Sequence, residues 1–340
     1  MASLPSGEDI TQHPFPERKD YRLAWILAAS PPAWRVNRNS PPRRINMTTN
    51  DIRTILQQVE ENTKSEYIQI TTRLSKKRLD LTASKFGGFP YWPHKKAKSY
   101  PRTSKGFPLT MLAQINMADL PKNDIFPAVG MLQFYILNSE DTNEYAVVFH
   151  KTIDSPIVFT CYGPVLPTSF MADTITLNTQ EGKRTVGNIF WDGRGFPIKG
   201  EHALEFSKAC ESANLTENCF EDEFRKAAEQ LHIQIPDITD SVEYIIPLSD
   251  TERDDIFDRY WTGDGHKLLG RPYFIQGDYR GKNSDDVLLL QIDSTESDTD
   301  TTDMQNNIVI GDSGNLAFFI NKDELHRLDF THVYYTWACC

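Results

Sequence analysis

No run in this sequence approaches the roughly 18 apolar residues that a membrane helix requires, so no membrane partner is expected. The apolar stretch Ala24–Ala29 is shorter than a secretory h-region and follows a segment containing Glu8, Asp9, Glu17 and Asp20. Cysteine is scarce: Cys161, Cys210, Cys219, Cys339 and Cys340 form an odd set without regular spacing, in a 340-residue chain too large to depend on disulfide staples. A reducing cytoplasm is the expected compartment. Neither a GxxxxGK[ST] phosphate loop nor a GxGxxG fingerprint occurs, and no CxxC or HxxxH spacing supports a metal. No cofactor and no metal are therefore expected.

What the chain does have is charge, unevenly placed. With 36 Lys+Arg against 47 Asp+Glu the net charge is −11, which argues against the whole-molecule basic field of a nucleic-acid binder. Residues 1–110 carry 19 basic and 9 acidic residues, whereas 111–340 carry 17 and 38. The basic phrases Leu74–Arg78 and His94–Lys98 contain few aromatics and read as a solvated face, so no nucleic-acid partner is expected. The segment Asp293–Asp303 is acidic and of a composition that favours disorder, and it lacks the central glycine and terminal glutamate of a calcium-binding EF-hand loop.

Residues 1–46 are rich in proline and arginine, in phrases such as Pro31–Pro32 and Pro41–Pro42–Arg43–Arg44, and favour irregular chain. Regular patterning begins after Met47: Thr48, Thr49 and Asn50 offer N-caps, and Ile52, Ile55, Leu56 and Val59 recur at helical spacing. Met47 is accordingly expected to be a start site, with 1–46 an upstream extension or a poorly ordered arm.

Self-comparison gives the strongest pattern. Gly88–Trp92 matches Gly270–Phe274, Met111–Asn116 matches Leu288–Asp293, and Gly130–Ile136 matches Gly314–Ile320, with apolar strands Tyr145–Phe149 and Val333–Trp337 following. Three ordered blocks at comparable spacing indicate two copies of one unit. Leu132, Phe134 and Ile136 alternate with Gln133 and Tyr135, as Leu316, Phe318 and Ile320 do with Ala317 and Phe319, which is strand chemistry. The glycine that opens each of these strands, Gly130 or Gly314, suits a turn or bulge with positive φ. Short links favour antiparallel pairing. Between the copies, 201–213 and 217–232 read as helices, the second with Phe220, Phe224, Ala227, Ala228 and Leu231 on one stripe and Glu217, Glu221, Asp222 and Glu229 on the wet face. A further helix is expected around 250–261.

Six phrases, taken in order, carry a resemblance: Gly87–Pro93, Leu112–Asn116, His266–Gly270, Ile275–Asp278, Gly311–Gly314 and Tyr335–Cys340. Over about residues 80–340 the chain resembles the YwqG-like family, DUF1963. The resemblance implies a fold and a cytoplasmic, largely bacterial occurrence, with no agreed activity or cofactor; some members are similar to immunity proteins that neutralise contact-delivered toxins.

Candidate site residues follow from the pattern. Gln114 and Gln291 hold equivalent places in apolar strands, where a buried amide must find partners. They either satisfy neighbouring turns or converge on a ligand. Gln276 and Asp278 break the repeat, because Pro93 and His94 stand at that place in the first copy; the structural alternative is a turn built by Gly277 and capped by Asp278. Trp92, with Tyr91, Tyr273 and Phe274, forms either a ligand wall or ordinary core. His94 and His266 are the nearest histidines. Asp312, in the phrase Gly311–Gly314, is a turn residue or a ligand hydrogen-bonder, because no histidine partner phrase supports a serine nucleophile at Ser313. The Cys339–Cys340 end follows an aromatic strand directly, unlike a flexible lipidated tail.

The expected fold is α+β: two duplicated, mainly antiparallel β units packed together, with an N-terminal helix and a helical insertion. The expected organisation is 1–46 extension, 47–165 helix and first repeat, 166–262 insertion, helical in its second half, and 263–340 second repeat. The expected function is that of a non-enzymatic binding or immunity-like protein, whose partner is a protein with a basic surface or a small polar ligand. The alternative is an enzyme with its site near Trp92, His94, Gln276 and Asp278.

Overall fold

A computed structural model describes residues 47–93, 96, 99–106, 108–154, 196–235, 248–281, 284–295 and 308–339, together with the backbone of 174–179 and 182–187. The 1–46 extension, His94, Cys161, Cys340 and most of the acidic segment after Thr295 lie outside the described residues.

The chain first forms helix α1 (Thr49–Thr63). Thr48 closes a capping box with Asp51, and Ile52, Ile55, Leu56 and Val59 are buried along one stripe. Strands β1 (Ser65–Leu74), β2 (Lys85–Phe86), β3 (Thr110–Asn116), β4 (Met131–Ile136) and β5 (Tyr145–His150) follow. A separate hairpin, β6 (Thr174–Thr179) and β7 (Gly182–Gly187), precedes β8 (His202–Glu211). Then come α2 (Phe220–Gln230), α3 (Asp250–Tyr260), β9 (Lys267–Leu269), β10 (Asp286–Asp293), β11 (Asn315–Asn321), the short α4 (Lys322–His326) and β12 (Tyr334–Ala338).

Among the described residues ten strands make one antiparallel sheet in the order β12-β11-β10-β9-β1-β8-β2-β3-β4-β5. In place of two packed units there is one sheet, continuous at its centre because β1 and β8 pair over ten residues, Ser65↔Glu211 to Leu74↔His202. The sheet curls until its edges nearly meet. Phe134 of β4 and Phe318 of β11 pack at 4.9 Å between ring centroids, and the Tyr145 hydroxyl on β5 donates to Val333 O just before β12. Sheet dominates the fold and four helices are described, so the α+β class fits only in part.

The alternation read from the sequence sorts the side chains by face. Leu132, Phe134, Ile136, Leu316, Phe318 and Ile320 join the main core inside the curl. Tyr135 packs outside it with Trp92, Leu109 and Met111, and Ala317 and Phe319 pack outside it with Phe274 and Leu288. Both faces of β4 and β11 are therefore dry, and β4 is buried at every residue. A fourth cluster joins α1, α2 and α3 through Ile55, Val59, Phe224, Ala228, Ile256 and Tyr260.

Three local readings need correction. Residues 201–213, expected as helix, are strand β8: Ala, Leu, Glu and Lys favour helices intrinsically, but Leu204 and Phe206 alternate with Glu205 and Ser207 and lie against the main core. Glu217, expected on the wet face of α2, precedes that helix and is buried, because two arginines neutralise it. Of the strand-opening glycines only Gly130 has positive φ, at 138°; Gly314 is needed instead because a Cβ there would collide with Ala338 O.

Candidate functional site

Two buried glutamines stand at corresponding steps of β3 and β10, each just past a bulge, between Met111 and Ala113 in one strand and between Leu288 and Leu290 in the other. Gln114 Oε1 accepts from Tyr91 N at 2.6 Å, and its Nε2 donates to Leu81 O and Ala83 O. Gln291 Oε1 accepts from Tyr273 N at 2.9 Å, and its Nε2 donates to Gly263 O and Gly265 O. Both amides thus hold loops that have no strand partner, which is the structural reading of these residues. Beside each glutamine sits a buried lysine: Lys85 pairs with Gln114 in register and Lys267 with Gln291. Lys85 Nζ donates to Asp80 O, and burial lowers its pKa against the opposing pull of Glu201. Lys267 Nζ reaches Glu211 Oε2 at 2.6 Å and Arg271 O at 2.7 Å; burial lowers the lysine and raises the glutamate, and their mutual attraction opposes both shifts.

Around Tyr91 the network continues through Gln133, whose Nε2 donates to Tyr91 O and Gln114 Oε1. With its amide so fixed, Gln133 Oε1 accepts from His150 Nε2 at 3.0 Å, which leaves His150 Nδ1 a bare acceptor with no partner among the described residues. Burial pushes His150 down to about 4, so it is neutral at pH 7. His266 is likewise held at about 4 by burial; its Nδ1 accepts from Asp293 N and its ring edges onto Phe86.

The charged cluster lies elsewhere, between the segment that joins β9 to β10 and the residues that precede α2. Arg280 donates Nε to Asp278 Oδ1 at 3.0 Å and Nη2 to Asp278 Oδ2 at 2.8 Å, and Nη2 also reaches Glu217 Oε2 at 3.1 Å. The guanidinium lies over the rings of Phe274 and Phe319. Arg271 Nη1 reaches the same Glu217 oxygen at 3.3 Å, and its Nη2 donates to Thr63 O at 3.2 Å. Glu217 Oε1 accepts from Asn214, and Asp278 Oδ2 from Asn218 N. In front of the two arginines opens a cavity of about 320 Å³ lined also by Asn62, Thr63, Lys64, Ser65, Gly270 and Val287. Cys219 touches the cluster, but burial pushes its thiol up to about 11, so it is no nucleophile at neutral pH.

The structure therefore disperses most of the expected site. Trp92 is core, with its indole N–H bonded to Lys96 O. Gln276 is exposed and donates to Cys339 O, and Asp312 is an exposed residue of the turn before β11. Gln114 and Gln291 belong to different flanks of the sheet, and neither lines the cavity. Asp278 alone joins a charged site, by way of Arg280. Arg271, Arg280 and Lys64 stand in none of the candidate motifs, and Glu217 reads there as a solvated acid. One signal was available: Arg271 stands where the matching phrase has Phe89, a cation in place of an aromatic.

Among the described residues no group of three His, Cys, Asp or Glu is placed to hold a metal, and no helix is long and apolar enough to cross a membrane. The family model described as a domain of unknown function, DUF1963, matches residues 84–339. The chain belongs to this family. No curated protein matches it.

Proposed function

We propose that this protein is a non-enzymatic cytoplasmic binding protein that docks a partner with a basic surface on the outer face of α2 and α3. One observation carries this reading. The two helices bring nine carboxylates against four cations, and Asp222, Glu229, Asp250, Asp254, Asp255 and Asp258 are exposed. Their two exposed cations are already engaged, Lys226 by Glu223 and Arg259 by Glu60. The face thus keeps an excess of negative charge over a helix layer with a core of its own, the form of surface that selects and steers a cationic partner. The family resemblance adds immunity-type proteins to the roles such a surface suits. Against the enzymatic alternative, Trp92 is spent on the core, Gln276 is exposed and bonded to Cys339 O, and Asp278 is held by Arg280.

We also read the chain as an internal duplication. In its support, the sheet runs β5-β4-β3-β2-β8 from one edge and β12-β11-β10-β9-β1 from the other, and both flanks carry the same bulge, glutamine, lysine and tyrosine.

A low-salt pull-down tests the function with the full chain and with a charge-reversed variant, Asp222→Lys/Glu229→Lys/Asp254→Lys/Asp255→Lys. The expected result is a basic protein retained by the native chain, released by salt and lost on the variant. A partner retained equally by both, or indifferent to salt, overturns the reading.

A further inference from the structure

Arg271 and Arg280 neutralise buried carboxylates yet face the cavity: their side chains are 24% and 15% exposed and both line it, while Glu217 at 0% and Asp278 at 2% stand behind them. Lys64 adds a third cation to the wall, and no carboxylate lines the cavity among the described residues. Three cations thus stand in front of two carboxylates.

The donors are oriented as well as charged. Glu217 Oε2 fixes both guanidinium groups from behind, Asp278 grips Arg280 through two nitrogens, and the Phe274 and Phe319 rings support its plane. Arg271 Nε has no partner among the described residues, and Arg280 Nη1 has only a long contact, 3.5 Å, to Asp286 O. Rigid forks with N–H groups left over are how arginine recognises carboxylate and phosphate. The volume falls at the low end of the ~300–1,000 Å³ typical of small-molecule sites.

We propose that this cavity is a binding site for a small oxyanion, the phosphate or carboxylate group of a metabolite-sized ligand, held by Arg271, Arg280 and Lys64. The site is independent of the acidic helix face, and it does not depend on the docking of a protein partner there.

Isothermal titration calorimetry of the full chain at low ionic strength tests it, with inorganic phosphate and acetate as separate probes. The expected result is saturable binding of at least one; a preference for phosphate identifies a phosphoryl ligand, and a preference for acetate identifies a carboxylate. Arg271→Gln and Lys64→Glu are each expected to weaken binding by about tenfold or more, since tenfold corresponds to ~1.4 kcal/mol. Lys64 is exposed and outside the buried ion pairs, so Lys64→Glu decides the matter if Arg271→Gln does not fold. Failure of both anions to bind, or binding that survives both substitutions unchanged, overturns the proposal.

Discussion

At the β2–β5 flank Tyr91 is held by two glutamines, Gln114 on its N–H and Gln133 on its carbonyl; at the β9–β12 flank Tyr273 is held by Gln291 and by Asn315. The same backbone demand is met from different positions on the strand that follows. Beyond that shared step the flanks diverge. The first is sealed by rings, with Trp92 edge-on to His150 and to Tyr135 and Tyr100. At the second, Phe274 stacks on Phe319 and the cover is a guanidinium, Arg280, tied to buried carboxylates. One framework therefore supports a dry aromatic plug at one end and a charged wall facing a cavity at the other. The glutamines are framework, and the residues that differ between flanks are where a ligand is to be sought.

The comparison breaks most completely at the glutamines. Gln114→Leu strands Tyr91 N, Leu81 O, Ala83 O and one N–H of Gln133, so a loss of about 4 kcal/mol in urea unfolding is expected. Gln291→Leu, with one partner fewer, is expected to cost less. Next comes Glu217→Gln, which removes the charge shared by Arg271 and Arg280 and is expected to cost about 3 kcal/mol in the same measurement, with no counterpart at the first flank. Acid then probes both ends. His150 and His266 titrate near 4 when folded and near 6.5 when unfolded, so only the unfolded chain takes up their protons between those values. The stability they permit is complete above pH 6.5 and is lost as pH falls towards 4, about 2 kcal/mol per histidine by pH 5. Thermal melts across this range are expected to flatten by one share in His150→Gln, and a slope that does not change removes the assignment. The smallest effect is expected at Asp312→Ala and Gln276→Ala, exposed positions whose substitution leaves melting and urea midpoints within about 0.5 kcal/mol of the native chain.

Much of this framework was legible. The stripe and cap of α1, the alternation in β4 and β11 and the matched glutamines are local patterns that survive into the structure. What escaped has a physical cause in each case. The residues of β8 are good helix formers, and only a ten-residue partner brought from far along the chain makes them a strand. Glu217 looks like any exposed helix-flanking acid until Arg271, 54 residues away, and Arg280, 63 away, reach it. Asp278 departs from the matching phrase, but its meaning depends on Arg280, which no motif marks.

The central pairing of β1 with β8 reaches beyond the site. β2, which follows β1 in the chain, pairs with β8, and β9, which follows β8, pairs with β1, so the two flanks are cross-laced like the sides of a boot. Neither flank can finish its sheet from its own stretch of chain. Folding must wait for contacts between distant segments, and a chain cut between β5 and β8 would yield two fragments that find order only in each other.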